Sequence, residues 1–117
     1  MSSADESSVA IRYTPEFKRN LRVLSKKYRH IQQDLQPVID ELQQGKVIGD
    51  QVSGVGYTIY KVRVRNTDAR RGKRGGYRVI YYLQTKSDTI LITIYSKMEQ
   101  SDITAARIQQ IIKSSGS

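Results

Sequence analysis

The sequence predicts an α+β domain of the order β-α-α-β-β-β-α, a twisted antiparallel-rich sheet with its helices packed on one face. Three observations predict it. Two apolar series at helical spacing occupy Phe17 to Tyr28 and Ile31 to Leu42. Three strand-like runs, Thr58–Arg65, Tyr77–Gln84 and Thr89–Ser96, are grouped late instead of alternating with helices. A final helical series, Ile103, Ile108, Ile111 and Ile112, closes the chain.

Each element has a local reason. Residues 1–8 are small, polar and acidic, and are expected to form a disordered tail. Val9, Ile11 and Tyr13 then share one side of a short first strand. Thr14 can cap free N–H groups, Pro15 suits the first helical position, and Glu16 sits at the positive end of the dipole. The first helix should bury Phe17, Leu21, Leu24 and Tyr28 and leave Lys18, Arg19, Arg22, Lys26 and Lys27 in water. A second helix carries Ile31, Leu35, Val38, Ile39 and Leu42 and closes at Gly45 as a left-handed cap. Pro37 removes a helical N–H, so this helix is expected either to kink there or to begin late, near Asp34. The short connection favours an antiparallel hairpin.

Lys46 to Tyr57 is glycine-rich and reads as a loop with room for one brief strand. Thr85, Lys86, Ser87 and Asp88 join the last two strands as a hairpin turn. Ser101 or a neighbour opens the last helix, and residues 114–117 are expected to fray. The domain therefore runs from 9 to 113.

Composition narrows the function. The 117 residues make one domain, too small for two lobes with a cleft, so function must sit on a face or in a shallow groove. The formal net charge is +9, which favours nucleic acid or an acidic protein over a small apolar ligand. Cysteine is absent and His30 is the single histidine, so thiolate chemistry and a histidine metal site are excluded and no cofactor is expected. No apolar run approaches eighteen residues, and the start MSSADESS has no basic or apolar signal region. A cytoplasmic location without membrane contact is expected.

The most informative stretch is Tyr60 to Arg78, which holds eight of the twenty Lys and Arg residues against one acid, Asp68. Cations this crowded repel one another, and a polyanion relieves that repulsion. Lys61, Arg63 and Arg65 alternate with Tyr60, Val62 and Val64, the period of a strand with one apolar and one cationic face. Alternation also puts Tyr77 and Tyr81 on one side, as core, and Arg78 and Tyr82 on the other.

The opening IRYTPEFKRNL, the strand YKVRVR, the turn GKRGGYRVIYY and the closing ITIYSKMEQSD resemble the RelE/ParE superfamily of bacterial toxins, most closely its HigB-like branch. Four ordered segments at suitable spacing carry the resemblance, from about Val9 to Lys113. It implies a small ribonuclease that enters the ribosomal A site and cuts messenger RNA there without a metal. The scissile phosphate is transferred to the neighbouring ribose 2′-hydroxyl, leaving a 2′,3′-cyclic phosphate and a 5′-hydroxyl. It also implies an antitoxin encoded alongside, with a helix-turn-helix segment. Lys61 and Arg63 fall where members carry basic catalytic residues, and Arg78 falls on the arginine that contacts the scissile phosphate. Met98 and Thr104 depart from the RelE pattern, standing where it has an arginine and a tyrosine.

The chemistry of the residues points to the same candidates. Transesterification takes a proton from the 2′-hydroxyl, stabilises charge on the phosphorus centre and gives a proton to the leaving 5′-oxygen. Arginine is the best clamp, because its fixed fork holds two phosphate oxygens and stays charged. Arg78, next to Gly75 and Gly76 where an RNA backbone can come close, is the first choice. Lys61 is the candidate base, and Lys97 the candidate acid or second phosphate contact. Tyr95 and Tyr82 are candidates for stacking a base or donating from a phenol. Arg65, Arg70, Arg71, Lys73 and Arg74 are expected to bind RNA phosphate. Two other functions fit the charge: a ParE-like toxin that inhibits DNA gyrase by binding, and a non-catalytic RNA- or ribosome-binding protein. The blander reading of the alternating cations is a solvated sheet face.

Overall fold

Thr14 ends the first strand, β1 (Ala10–Tyr13), and starts the first helix, α1 (Pro15–Lys27). Its hydroxyl accepts from the Phe17 N–H at 3.0 Å and donates to the Ile92 carbonyl at 2.6 Å, so one side chain caps the helix and ties it to the sheet. This computed structural model describes residues 8–69 and 76–115. All of the expected tail over residues 1–8 except Ser8, and Arg70, Arg71, Lys73, Arg74 and Gly75 among the candidate residues, lie outside them.

The second helix, α2 (Ile31–Gln43), contains Pro37 and begins at Ile31, not near Asp34. Buried Ile31, Leu35, Val38 and Leu42 hold its length against the core, which offsets the backbone bond that Pro37 cannot make. Gly45 turns the chain with φ 84°, as the left-handed cap requires.

A brief strand, β2 (Asp50–Val52), precedes β3 (Ile59–Val64), β4 (Tyr77–Thr85) and β5 (Asp88–Ser96). The five-stranded sheet has the order β1-β5-β4-β3-β2. The pairings β2 to β3, β3 to β4 and β4 to β5 are antiparallel, whereas β1 runs parallel to β5 at the edge. The last helix, α3 (Ala105–Ser114), opens at Thr104, whose hydroxyl accepts from the Arg107 N–H at 3.1 Å; Ser101 lies before it.

The expectation of helices on one face is overturned. On one side α1 and α2 pack on Val62, Val64, Tyr77, Val79, Tyr81, Leu91 and Ile94. On the other, Ile108, Ile111 and Ile112 of α3 pack on Ile59, Ile80, Ile90 and Ile92. The cause is local: Val79-Ile80-Tyr81 and Ile90-Leu91-Ile92 are unbroken apolar runs, which make both faces of the central strands apolar and oblige both to be covered. Tyr77 and Tyr81 are fully buried on the α1 and α2 side, as alternation predicts. The Tyr81 hydroxyl bonds the Ile48 carbonyl and accepts from the Ile48 N–H, so its polar end is satisfied.

Candidate active site

The α3 face of the sheet is apolar only beneath the helix. Along β3, Ile59 lies under α3, and the next residues on that side are Lys61 and then Arg63. Along β4, Ile80 is covered, and the next residue on that side toward the start of the strand is Arg78. Antiparallel register then sets Arg63 directly opposite Arg78, and Arg78 directly opposite Tyr95 of β5. Opposed residues share a side with Cβ atoms roughly 5 Å apart. The backbone N–H of Lys97 donates to Gly76 at 3.0 Å, carrying the pairing one step further, so Lys97 joins Tyr95 on this face. Lys61, Arg63, Arg78 and Lys97, from β3, β4 and the residue after β5, are thereby gathered beside Tyr95, which itself packs in the apolar cluster under α3.

The members differ in exposure and in state. Arg78 is only 8% exposed and Tyr95 4%, so they form the floor, while exposed Arg63 and half-buried Lys61 and Lys97 stand at the rim. One Arg78 Nη donates to the neighbouring Tyr77 carbonyl at 3.2 Å. Burial pushes the Tyr95 phenol up, the hydrogen bond from the Ile103 N–H pulls it only partly back, and the Asp102 carboxylate adds to the rise, so the phenol keeps its proton at neutral pH.

Asp102, which the sequence reading did not single out, reaches into this group from the link between β5 and α3. Its Oδ1 lies 3.2 Å from the Lys97 ammonium, 3.7 Å from the Lys61 ammonium and 3.4 Å from the Tyr95 hydroxyl. The hydrogen bond from Lys97, helped by the charges of Lys61 and Lys97, holds its carboxyl below the usual range. The only trace in the sequence is an acid five residues after Lys97. Its meeting with Lys61, 41 positions earlier, depends on the sheet.

Tyr82 stands on the same side of β4 as Arg78, as alternation predicts, but outside the cluster: covered Ile80 stands between them, and Tyr82 packs edge-on against Tyr57 at 5.2 Å between ring centres. Four residues of strand separate Tyr82 and Arg78 by roughly 13 Å. Gly76 does not open the site to an RNA backbone. It is buried with φ 71°, and a Cβ there would meet the Val64 carbonyl oxygen at 2.6 Å, so its missing side chain serves the turn into β4. Arg65 is exposed one residue beyond β3.

The start of the β3–β4 connection is fastened to the helical hairpin. Asp34 accepts from the Thr67 N–H at 3.0 Å, and Asp68 accepts from the His30 N–H at 2.7 Å and contacts its ring Nδ1 at 2.7 Å. His30 thus holds a connection on the hairpin side, away from the cationic face.

Residues 15–116 match the family model described as the RelE toxin of the RelE/RelB toxin–antitoxin system. The chain belongs to the RelE toxin family. This RelE-family toxin is accordingly one half of a toxin–antitoxin system, and an antitoxin is its implied partner. Among its described residues no helix is long and apolar enough to cross a membrane. The match spans all three helices and every strand except β1.

Proposed function

We propose that this RelE-family toxin is a ribosome-dependent endoribonuclease of the HigB-like kind, which halts translation by cutting messenger RNA in the A site. The observation that carries the reading is the row Arg63, Arg78 and Tyr95 across three strands, flanked by Lys61 and Lys97 on the same face. A solvated sheet face, the blander alternative, does not account for a nearly buried arginine at its centre.

In the proposed reaction the 2′-oxygen attacks phosphorus as its hydroxyl passes its proton to solvent water. The bond from phosphorus to the 5′-oxygen breaks, and that oxygen takes up a proton, leaving a 2′,3′-cyclic phosphate. Arg78 grips two non-bridging oxygens with its fork and offsets the charge that builds on them. Arg63 and Lys61 approach from β3 as further cations. Lys97 and the Tyr95 phenol stand together as donors toward the leaving oxygen. The site supplies oriented cations and donors, and ordering the substrate against them contributes as much as proton transfer.

Mapping 5′ ends in cells after induction tests the proposal. New ends are expected within codons of translated messages, and they should vanish when translation is blocked beforehand. Growth arrest with intact messages and relaxed DNA would overturn it and point to gyrase, the target of ParE-like relatives.

A further inference from the structure

Among the described residues Asp102 is the one acid within ion-pair distance of the cluster's lysines, though Asp50 of β2 stands opposite Lys61 in the sheet, and three donors converge on the Asp102 Oδ1: the ammoniums of Lys97 and Lys61 and the Tyr95 hydroxyl. That is the arrangement expected around an oxygen of a bound phosphodiester. Lys61 stands on β3 and Lys97 just past the end of β5, with β4 between them, and without an anion between their heads they would repel. A carboxylate and a phosphodiester carry the same unit charge and present the same kind of oxygen, so the two compete for one seat.

We infer that Asp102 is the internal counter-anion of the site: in the free protein it occupies the seat of a phosphate oxygen, keeps Lys61 and Lys97 turned inward, and withdraws when RNA phosphate enters. The inference rests on the reading of this face as a phosphate-binding site. The geometry allows the withdrawal. The Asp102 side chain is 55% exposed, and residues 98–102 are all exposed and lie outside any helix or strand. Withdrawal leaves a phosphate oxygen to take over the contacts of the two lysines and the phenol. Asp102 therefore weakens RNA binding while keeping the two lysines ready for it, and it screens the cluster against stray anions.

The alternative role, a base that takes the 2′-hydroxyl proton, is disfavoured because the same lysines that hold the carboxylate make it a weak one.

Equilibrium binding of a fluorescent 2′-O-methyl RNA, which cannot be cleaved, separates these roles without relying on activity. The Asp102→Asn variant should bind about three- to tenfold tighter than the unaltered protein. Glu99→Gln removes the same charge from the opposite side of the sheet, where Glu99 pairs with Lys27 and the Tyr28 hydroxyl, and should change affinity less than twofold. The gain should disappear when Lys61 and Lys97 are both replaced by Gln. Affinity in Asp102→Asn equal to or weaker than in Glu99→Gln overturns the inference, as does a gain that survives loss of both lysines. The reading beneath it fails separately: Arg78→Ala and Lys61→Gln proteins that are folded by circular dichroism and bind RNA like the unaltered chain remove the phosphate site itself.

Discussion

Replacing Arg78 in two steps, by Lys and then by Ala, gives the most demanding test of the proposed site. Arg78 is 8% exposed, and its strand sets it opposite both Arg63 and Tyr95, so its guanidinium starts close to its working position. A hydrogen bond to a charged group contributes about 1.5–3 kcal/mol, and a fork gripping two phosphate oxygens makes two of them. Losing both removes roughly 3–6 kcal/mol of transition-state stabilisation, and at about 1.4 kcal/mol per tenfold the Ala variant should cleave roughly 10² to 10⁴ times more slowly. Lysine keeps the charge but not the fork, so its loss should be about one bond, roughly ten- to a hundredfold. Single-turnover cleavage of a defined message in a reconstituted translation reaction reads both, with thermal melts confirming that each variant is folded. A folded Ala variant that cleaves within tenfold of the unaltered protein refutes the clamp. Equal losses for Lys and Ala would show that fork geometry carries the whole effect.

Three further outcomes are expected. Gly76→Ala should destabilise the fold by at least about 2 kcal/mol in urea titration, because alanine disfavours the left-handed region and its Cβ would press on the Val64 carbonyl. Ile108→Ala empties a fully buried position beneath α3 and should cost about 2–5 kcal/mol. Glu99 is held below the ordinary carboxylate range first by the hydrogen bond from Lys27 and then by that from Tyr28. Its folded value is the lower one, so its contribution is present above the unfolded value of about 4.3 and lost as pH falls through the folded one. The stability gap between the unaltered chain and Glu99→Gln should therefore be open at pH 6 and shrink steadily as pH falls below about 4. A gap unchanged across that range would show that the Lys27 and Tyr28 contacts do not persist in solution.

Local order is legible in the sequence itself. Thr14 and Pro15 announce a helix start because capping involves atoms three residues apart, and the structure places the cap on the Phe17 N–H. The alternation of Lys61 and Arg63 with Val62 and Val64 shows a strand with two unlike faces, since side chains of neighbouring residues point opposite ways. The same alternation sorted Tyr77 and Tyr81 into the core. What the sequence by itself determined was therefore the elements, their order and the side of its strand on which each cation stands.

Only the tertiary structure decided which sides meet. Placing Arg78 between Arg63 and Tyr95 depends on strand register, and bringing Asp102 to Lys61 depends on a chain reversal far along the sequence. The position of α3 on the face opposite α1 and α2 excluded Tyr82 from the cluster and left Arg78 at the boundary of its cover. These are long-range choices, made by the requirement that both apolar faces of β4 and β5 be removed from water, and no local period encodes which helix covers which face.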